Sequence, residues 1–337
     1  MKFDELKLYT HHEHLGGSVP PHLLWEIAKN RGINLPAKTY TDFISMFNND
    51  QTITFDDYVI DKFAMVHKTQ TSAESVGKCF YAAGSKMVRE SNIAGAEIRF
   101  NPAFRNGNGT YDLDEVIINA CVNARRVSLH YGVDISVIIE GDRRQTMDLV
   151  EILANKAIKY KSLGIAGFDL SGPYSGPDVN YQLRDYAHVY KHLRENGIGL
   201  TVHADENTTG TKRGTEVEEA LIWLKPDRIG HGIQSTTRPD IMAELSDKDI
   251  CLEICPTSNV VLRSVSGWDY MGSVIHKLLD NDVAISINTD GRELLGVSLK
   301  EEYKNLIERG YITSADAAMI LSDSERFMFK KLKKSIQ

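Results

Sequence analysis

The chain has 337 residues, with 39 Lys and Arg against 46 Asp and Glu, a formal net charge of −7. That balance offers no basic footprint for nucleic acid, and 42% hydrophobic with 25% charged residues describes a globular rather than a disordered chain. No apolar run of about 18 residues is present to span a membrane, Met1-Lys2-Phe3-Asp4-Glu5 lacks the apolar stretch of a secretory leader, and four cysteines are too few for a disulfide framework.

Strands are expected at Leu6–His14, Ala96–Asn101, Asp134–Glu140, Ala166–Leu170, Gly199–His203, Arg228–His231, Ile250–Cys255 and Val283–Asp290, where apolar and β-branched residues cluster. Helical stripes at a period of about 3.6 alternate with them. Leu23, Leu24, Ile27 and Ala28 form the first, opened by Pro20-Pro21 and closed at Gly32. Others run through Val116, Ala120, Ala124 and Val127; Leu183, Tyr186, Ala187 and Tyr190; and Val217, Ala220, Leu221 and Leu224. Met271, Val274, Ile275 and Leu278 form the next, and Leu299, Tyr303, Leu306 and Ile307 follow the last strand. Thr313, with Asp316 three residues on, opens a further helix by a box-like cap. The stretch from about Tyr40 to Ser91 is helical in pattern and long for one crossover, so it reads as a helical insertion after strand 1. Cys251 and Cys255 share a strand face and read as small core residues of a reduced, cytoplasmic protein.

Eight strand–helix units predict an α/β fold, a (β/α)8 TIM barrel in a single domain over 1–337; an open doubly wound sheet is the competing architecture. A closed barrel brings the C-terminal ends of its strands to one mouth, where such folds carry catalytic groups. Four polar motifs end predicted strands there. His12 and His14 close the first, His203-Ala204-Asp205-Glu206 the fifth, Gly230-His231-Gly232 the sixth and Asn288-Thr289-Asp290 the eighth. His12 and His14 share a strand face, so both imidazoles can reach one ion. Three imidazoles and one carboxylate, from His12, His14, His203 and Asp290, suit one Zn2+ or another borderline divalent metal. Such an ion would lower the pKa of a water from 15.7 to about 7. The cysteine spacing does not fit a zinc site built on Pro-Cys-x-x-Cys.

The ordered set HxHLxG, HAxE, GHG and TD resembles the adenosine deaminase family of metal-dependent amidohydrolases, over about His12 to Asp290. Glu97-Ile98-Arg99, Asp169-Leu170-Ser171-Gly172 and Glu253-Ile254-Cys255-Pro256 extend the likeness. The resemblance implies a (β/α)8 barrel, one zinc, and hydrolytic release of ammonia from a 6-aminopurine nucleoside or nucleotide. It implies that Glu206 protonates the ring nitrogen, that His231 stands beside the attacking water, and that the backbone N–H of Gly172 meets the purine. Asp290 would both bind metal and take the water's proton.

Two positions depart from that family's pattern. Gly16 stands where an Asp usually meets the ribose 5′-hydroxyl, and Gly291 where a second Asp meets purine N7. Losing both carboxylates points to a substrate that differs at the 5′ end and near N7, such as a 5′-phosphorylated one, and glycine at these places is expected to open space. The loop Asn207–Gly214 and the pair Arg143 and Arg144 are candidate anion contacts, although a solvated polar surface is the favoured reading of the loop. Two alternatives remain open at this level: an amidohydrolase of the same fold acting on another amino-heterocycle, a free base or modified purine, and a non-catalytic binding module. The expected partner is a small purine-type molecule, with neither nucleic acid nor membrane.

Overall fold

Parallel strands follow one another in chain order around the computed structural model, which describes residues 6–47, 62–107, 109–206 and 214–332. β1 (Leu8–His14), β2 (Ile93–Phe100), β3 (Asp134–Asp142), β4 (Ile165–Ser171) and β5 (Gly199–Leu200) pair in that order. β6 (His203–Ala204), β7 (Arg228–His231), β8 (Cys251–Ile254) and β9 (Ile285–Ile287) continue it. The fifth expected strand is thus in two pieces: Leu200 pairs with Phe168 of β4, and His203 with Gly230 of β7. Between them, the N–H of Thr201 donates to Phe168 O at 3.0 Å and the N–H of Gly230 donates to Val202 O at 2.8 Å. One stretch therefore hands the ladder from one side to the other.

The last strand meets the first. Asp290 N–H donates to His12 O at 3.0 Å, and His14 N–H donates to Asp290 O at 2.7 Å. With both edges paired, the sheet is a closed (β/α)8 barrel with helical insertions, not an open sheet. Closure depends on Asn288. β1 slips register against β2 between Thr10 and Glu13, and the Asn288 amide oxygen fills the irregularity by accepting from His11 N at 2.7 Å and His12 N at 3.1 Å. The slip turns His11 away from the mouth: its ring is buried against Ser286 Oγ at 3.1 Å and Ser324 O at 2.6 Å.

The helices follow the expected stripes. Pro21 begins Pro21–Asn30 at the position where a missing N–H costs nothing. Thr313 and Asp316 cap Ser314–Arg326 reciprocally, at 3.2 Å and 2.7 Å. The stripe at Leu183–Tyr190 is a tighter turn, Leu183–Tyr186, leading into Ala187–Glu195. In the insertion after β1, Tyr40–Ser45, Ala64–Thr69 and Ala73–Ser91 are helical; residues 48–61 of it lie outside the described residues. Cys251 and Cys255 are buried and unpaired, as their neighbours in sequence suggest. Among the described residues no helix is long and apolar enough to cross a membrane.

The barrel interior is charged. Arg99, Arg228, Glu97, Glu253 and Asp169 are all fully buried. Arg99 reaches Asp169 at 2.9 Å and Glu253 at 2.6 Å, while Arg228 reaches Glu253 and Glu97, each at 2.7 Å. Charges so deep survive only when fully paired. Phe329, near the end of the described chain, seals them from below. Its ring lies 3.5 Å beneath the Arg228 guanidinium, and its N–H donates to Glu97 at 2.7 Å. Gly167 and Gly199 make room: a Cβ on either would fall within 2.4 Å of that ring. Phe329→Ala should therefore lower stability by about 3–5 kcal/mol, read as a reduced urea midpoint. An unchanged midpoint would mean that the ring does not seal the base.

Candidate active site

The strand ends turn sharply where the polar motifs lie. His231 and Asp290 have φ of 60° and 64°, in the left-handed region that side chains other than glycine rarely occupy. Such conformations concentrate at functional sites, where surrounding contacts hold them. At β7, a Cβ on Gly230 would stand 3.0 Å from His12 Cε1, so only glycine leaves the imidazole its place.

These turns converge five side chains. His14 Nε2 and His203 Nε2 are 3.1 Å apart, and Asp290 Oδ1 is 3.6 Å from His12 Nε2 and 3.5 Å from His14 Nε2. His12, His203 and His231 form one group of possible ligand atoms within 4.8 Å of one another, and His12, His14 and Asp290 another. His12 Nε2 is buried without a hydrogen-bond partner. A cation among these atoms would satisfy the bare His12 nitrogen and draw the two facing imidazole nitrogens to itself. The donor set, nitrogen plus carboxylate oxygen, fits a divalent cation of the zinc type.

Each of the three rings is fixed through its other nitrogen. Glu253 holds His12 Nδ1 at 2.8 Å, Glu140 holds His14 Nδ1 at 3.0 Å and Asp169 holds His203 Nδ1 at 3.0 Å. These carboxylates point every Nε2 inward and raise its basicity. None of the three stands in a motif that marks a role, although a lone acid inside an otherwise apolar strand is a readable signal of a buried partner. Ser258 Oγ likewise donates to Asp290 Oδ2 at 2.6 Å, and Asn259 Nδ2 lies 3.2 Å from His231 Nδ1.

Electrostatics separate the groups. Burial lowers His231 to about 3, so its ring is neutral. Burial would also lower His14, but Glu140 and Asp290 outweigh it and raise the group to about 9. Burial would raise Asp290, yet His14 and the hydrogen bond from Ser258 hold it below the usual carboxylate range. Glu206, with Oε1 3.8 Å from His231 Nε2, is pushed up to about 8 by burial and by the Asp290 carboxylate. At neutral pH it is a proton-bearing acid beside a neutral imidazole.

A cavity of about 650 Å³ opens above these residues; Gly16 and Gly172 line it as well. Gly172 has φ of 89°, and a Cβ there would strike Asp142 at 2.8 Å. Gly291 is not among the lining residues. It is buried against the backbone of Gly17, whose Cβ would fall 2.5 Å from Gly291 Cα. Gly16 does not open space either, contrary to expectation: a Cβ there would meet Phe63 Cε1 at 2.7 Å and Arg105 Nη2 at 3.2 Å. Of the candidate anion contacts, Arg143 is committed to the backbone, donating to Gly172 O at 3.0 Å and to His203 O. Arg144 is paired with Asp142 at 2.8 Å and 2.6 Å. Residues 207–213 of the third candidate lie outside the described residues.

The family model for adenosine deaminase matches residues 8–333. The chain belongs to the adenosine deaminase family. An adenosine deaminase from Vibrio vulnificus is 25% identical over 316 residues, covering 94% of this chain and 92% of that protein. Among solved structures, adenine deaminase from Arthrobacter aurescens superposes with a TM-score of 0.81 at 18% identity, covering 98% of each chain. The N6-methyl-AMP deaminase of Arabidopsis thaliana superposes with a TM-score of 0.79 at 20% identity, covering 97% of this chain and 93% of that one. This member of the family is a metal-dependent hydrolase of C–N bonds in cyclic amidines, acting on a purine-like ring, and not the idle binding module considered above.

Glu140→Gln should weaken divalent-metal binding by about 10–100-fold, measured by zinc competition against a chromogenic chelator. Unaltered affinity would show that Glu140 does not orient His14 for a metal.

Proposed function

We propose that this deaminase hydrolyses the 6-amino substituent of a purine other than plain adenosine, with one zinc held by His12, His14, His203 and Asp290. The observation that carries the substrate part is the filled position beside Gly16. Among the described residues, the atoms nearest that position belong to an aromatic ring and a guanidinium, not to a carboxylate that would meet a sugar hydroxyl. Solved relatives of the same fold are named for adenine and for N6-methyl-AMP, so the scaffold tolerates such departures in those proteins. The cavity volume of about 650 Å³ lies mid-range for sites that enclose ligands of drug size, about 300–1,000 Å³. It favours a substituted purine over a bare base.

Zinc in this site would supply an acidified water and stabilise the charge that develops on its oxygen. The chain's own groups supply the rest. Asp290, held below the usual carboxylate range, accepts a proton from the attacking water. With Asn259 donating to Nδ1, His231 carries its proton on Nε2 and donates to the attacking oxygen. Glu206 gives its proton to the ring nitrogen, which removes electron density from the carbon under attack. A C–O bond forms at that carbon and its C–N bond breaks; the departing amine takes the proton held by Asp290, and Glu206 recovers the second proton of the water. Gly172, whose positive φ and close approach to Asp142 leave no room for a side chain, would offer its N–H to a purine nitrogen.

Glu206→Gln should retain zinc yet lower kcat by about 10²–10⁴-fold. The wild-type rate should fall as pH rises through the Glu206 pKa, because the acid form is the active one, and the variant should lose that limb. Ammonia or amine release from adenine, adenosine, deoxyadenosine, AMP and their N6-methyl forms reads both points. Adenosine as the best substrate would overturn the substrate reading, and a zinc-replete enzyme inert toward all would overturn the reaction.

A further inference from the structure

Among the described residues, Arg105 is the one arginine lining the cavity that has no hydrogen-bonding or ion-pair partner. Arg99 is neutralised by Asp169 and Glu253, Arg143 is taken up by main-chain oxygens, and Arg144 is neutralised by Asp142. Arg105 ends the turn Pro102–Arg105 that follows β2, and it is only 3% exposed. Its Nε and Nη1 are buried with no hydrogen-bond partner. Burial lowers it to about 10, so it is still charged at neutral pH. Glu140 attracts it only from a distance and is already held by His14, and a desolvated guanidinium with no partner of its own is unfavourable unless something supplies one.

Its position says where that counter-charge would come from. Nη2 points to within 3.2 Å of the place a Gly16 side chain would begin, directly behind the His12–His14 pair. A carboxylate at residue 16 would neutralise Arg105, and glycine leaves the cation unmatched. The same wall carries Phe63 and Phe104 on either side of His67, with ring centroids 5.2 Å and 5.8 Å from it. Together they form a largely apolar wall with one charge set in it. Gly172 and Glu206 come from β4 and the end of β6, across the mouth from β1 and β2. A ligand held by both walls would present its ring to one and a negative group to the other.

We propose that Arg105 binds a phosphate monoester on the substrate, so that the chain acts on a purine 5′-nucleotide in preference to a base or an uncharged nucleoside. This rests on the deaminase reading above and narrows it. The guanidinium fork matches phosphate oxygens in a way that a water or hydroxyl cannot. A buried cation of this kind rejects a neutral analogue, because the analogue leaves it unpaired. Arg105 is a specificity-determining residue here; it takes no part in proton transfer.

The test compares each nucleoside with its 5′-monophosphate on the zinc-loaded enzyme, in wild type, Arg105→Met and Arg105→Lys. Wild type should favour the monophosphate by about 100-fold or more in kcat/KM. Arg105→Met should lose most of that preference, through a rise in KM for the monophosphate that far exceeds any change for the nucleoside, and Arg105→Lys should recover part of it. Equal losses on both substrates, or a nucleoside turned over as well as its monophosphate, would overturn the proposal. Calorimetric binding of inosine and inosine 5′-monophosphate separates the two readings. If no aminopurine is deaminated but the monophosphate binds more tightly than inosine and Arg105→Met abolishes the difference, the phosphate site stands and the deamination reading fails. If neither molecule binds, or both bind alike, the phosphate site fails.

Discussion

The Arg99–Glu253 ion pair, sealed inside the barrel, is the interaction on which the site depends. Glu253 receives Arg99 on one oxygen and Arg228 on the other, and the oxygen facing Arg99 also holds His12 Nδ1. Burial would raise Glu253, yet Arg99 and Arg228 outweigh it and lower the group to about 2. Arg99 simultaneously fixes Asp169, which in turn fixes His203. Two of the converging imidazoles are thus tied to one guanidinium. Removing a member of such a network leaves a buried charge unpaired, so the network behaves as a unit. Most barrels of this class fill their interior with branched apolar side chains; here part of that volume is used to aim donors upward.

Around this layer the chain closes in ways that serve the same end. Asn288 joins β9 to β1 through its side chain instead of a regular ladder, and the resulting slip sends His11 outward and leaves His12 facing in. Phe329 caps the charged layer from below, in a slot that exists because Gly167 and Gly199 carry no side chain. Above the layer, left-handed turns at His231 and Asp290 carry the side chains over the mouth. Rigid backbone below and strained backbone above are two parts of one arrangement.

The two halves of the cavity have opposite character. Carboxylates and imidazoles of unequal proton affinity occupy the side that includes Glu206, His231 and Asp290, a separation of acid and base suited to proton transfer. The wall at Phe63, His67 and Arg105 is apolar with a single unmatched cation. On the proposed function, the reaction would belong to the first half and discrimination among substrates to the second. Relatives can therefore share the chemistry while differing in what they accept.

Much of this was legible without coordinates. The alternation of apolar runs and helical stripes marked parallel strands with crossover helices and favoured a barrel over an open sheet, because a strand buried on both faces and a helix buried on one leave different periods in the sequence; the pairing of Asp290 with β1 closed it. The motifs ending at His14, Glu206, His231 and Asp290 marked the site, because strand ends of a closed barrel must meet. Other features depended on the tertiary structure alone. The orienting roles of Glu140, Asp169 and Glu253 come from pairings between strands far apart in sequence. So does the fate of Gly16: sequence registers the missing side chain as a vacancy, whereas packing brings Phe63 and Arg105 into the space. Local pattern determines which backbone a segment adopts, since that is decided by residues within a few positions. Which side chain fills a gap is decided by whatever the closed barrel carries past it.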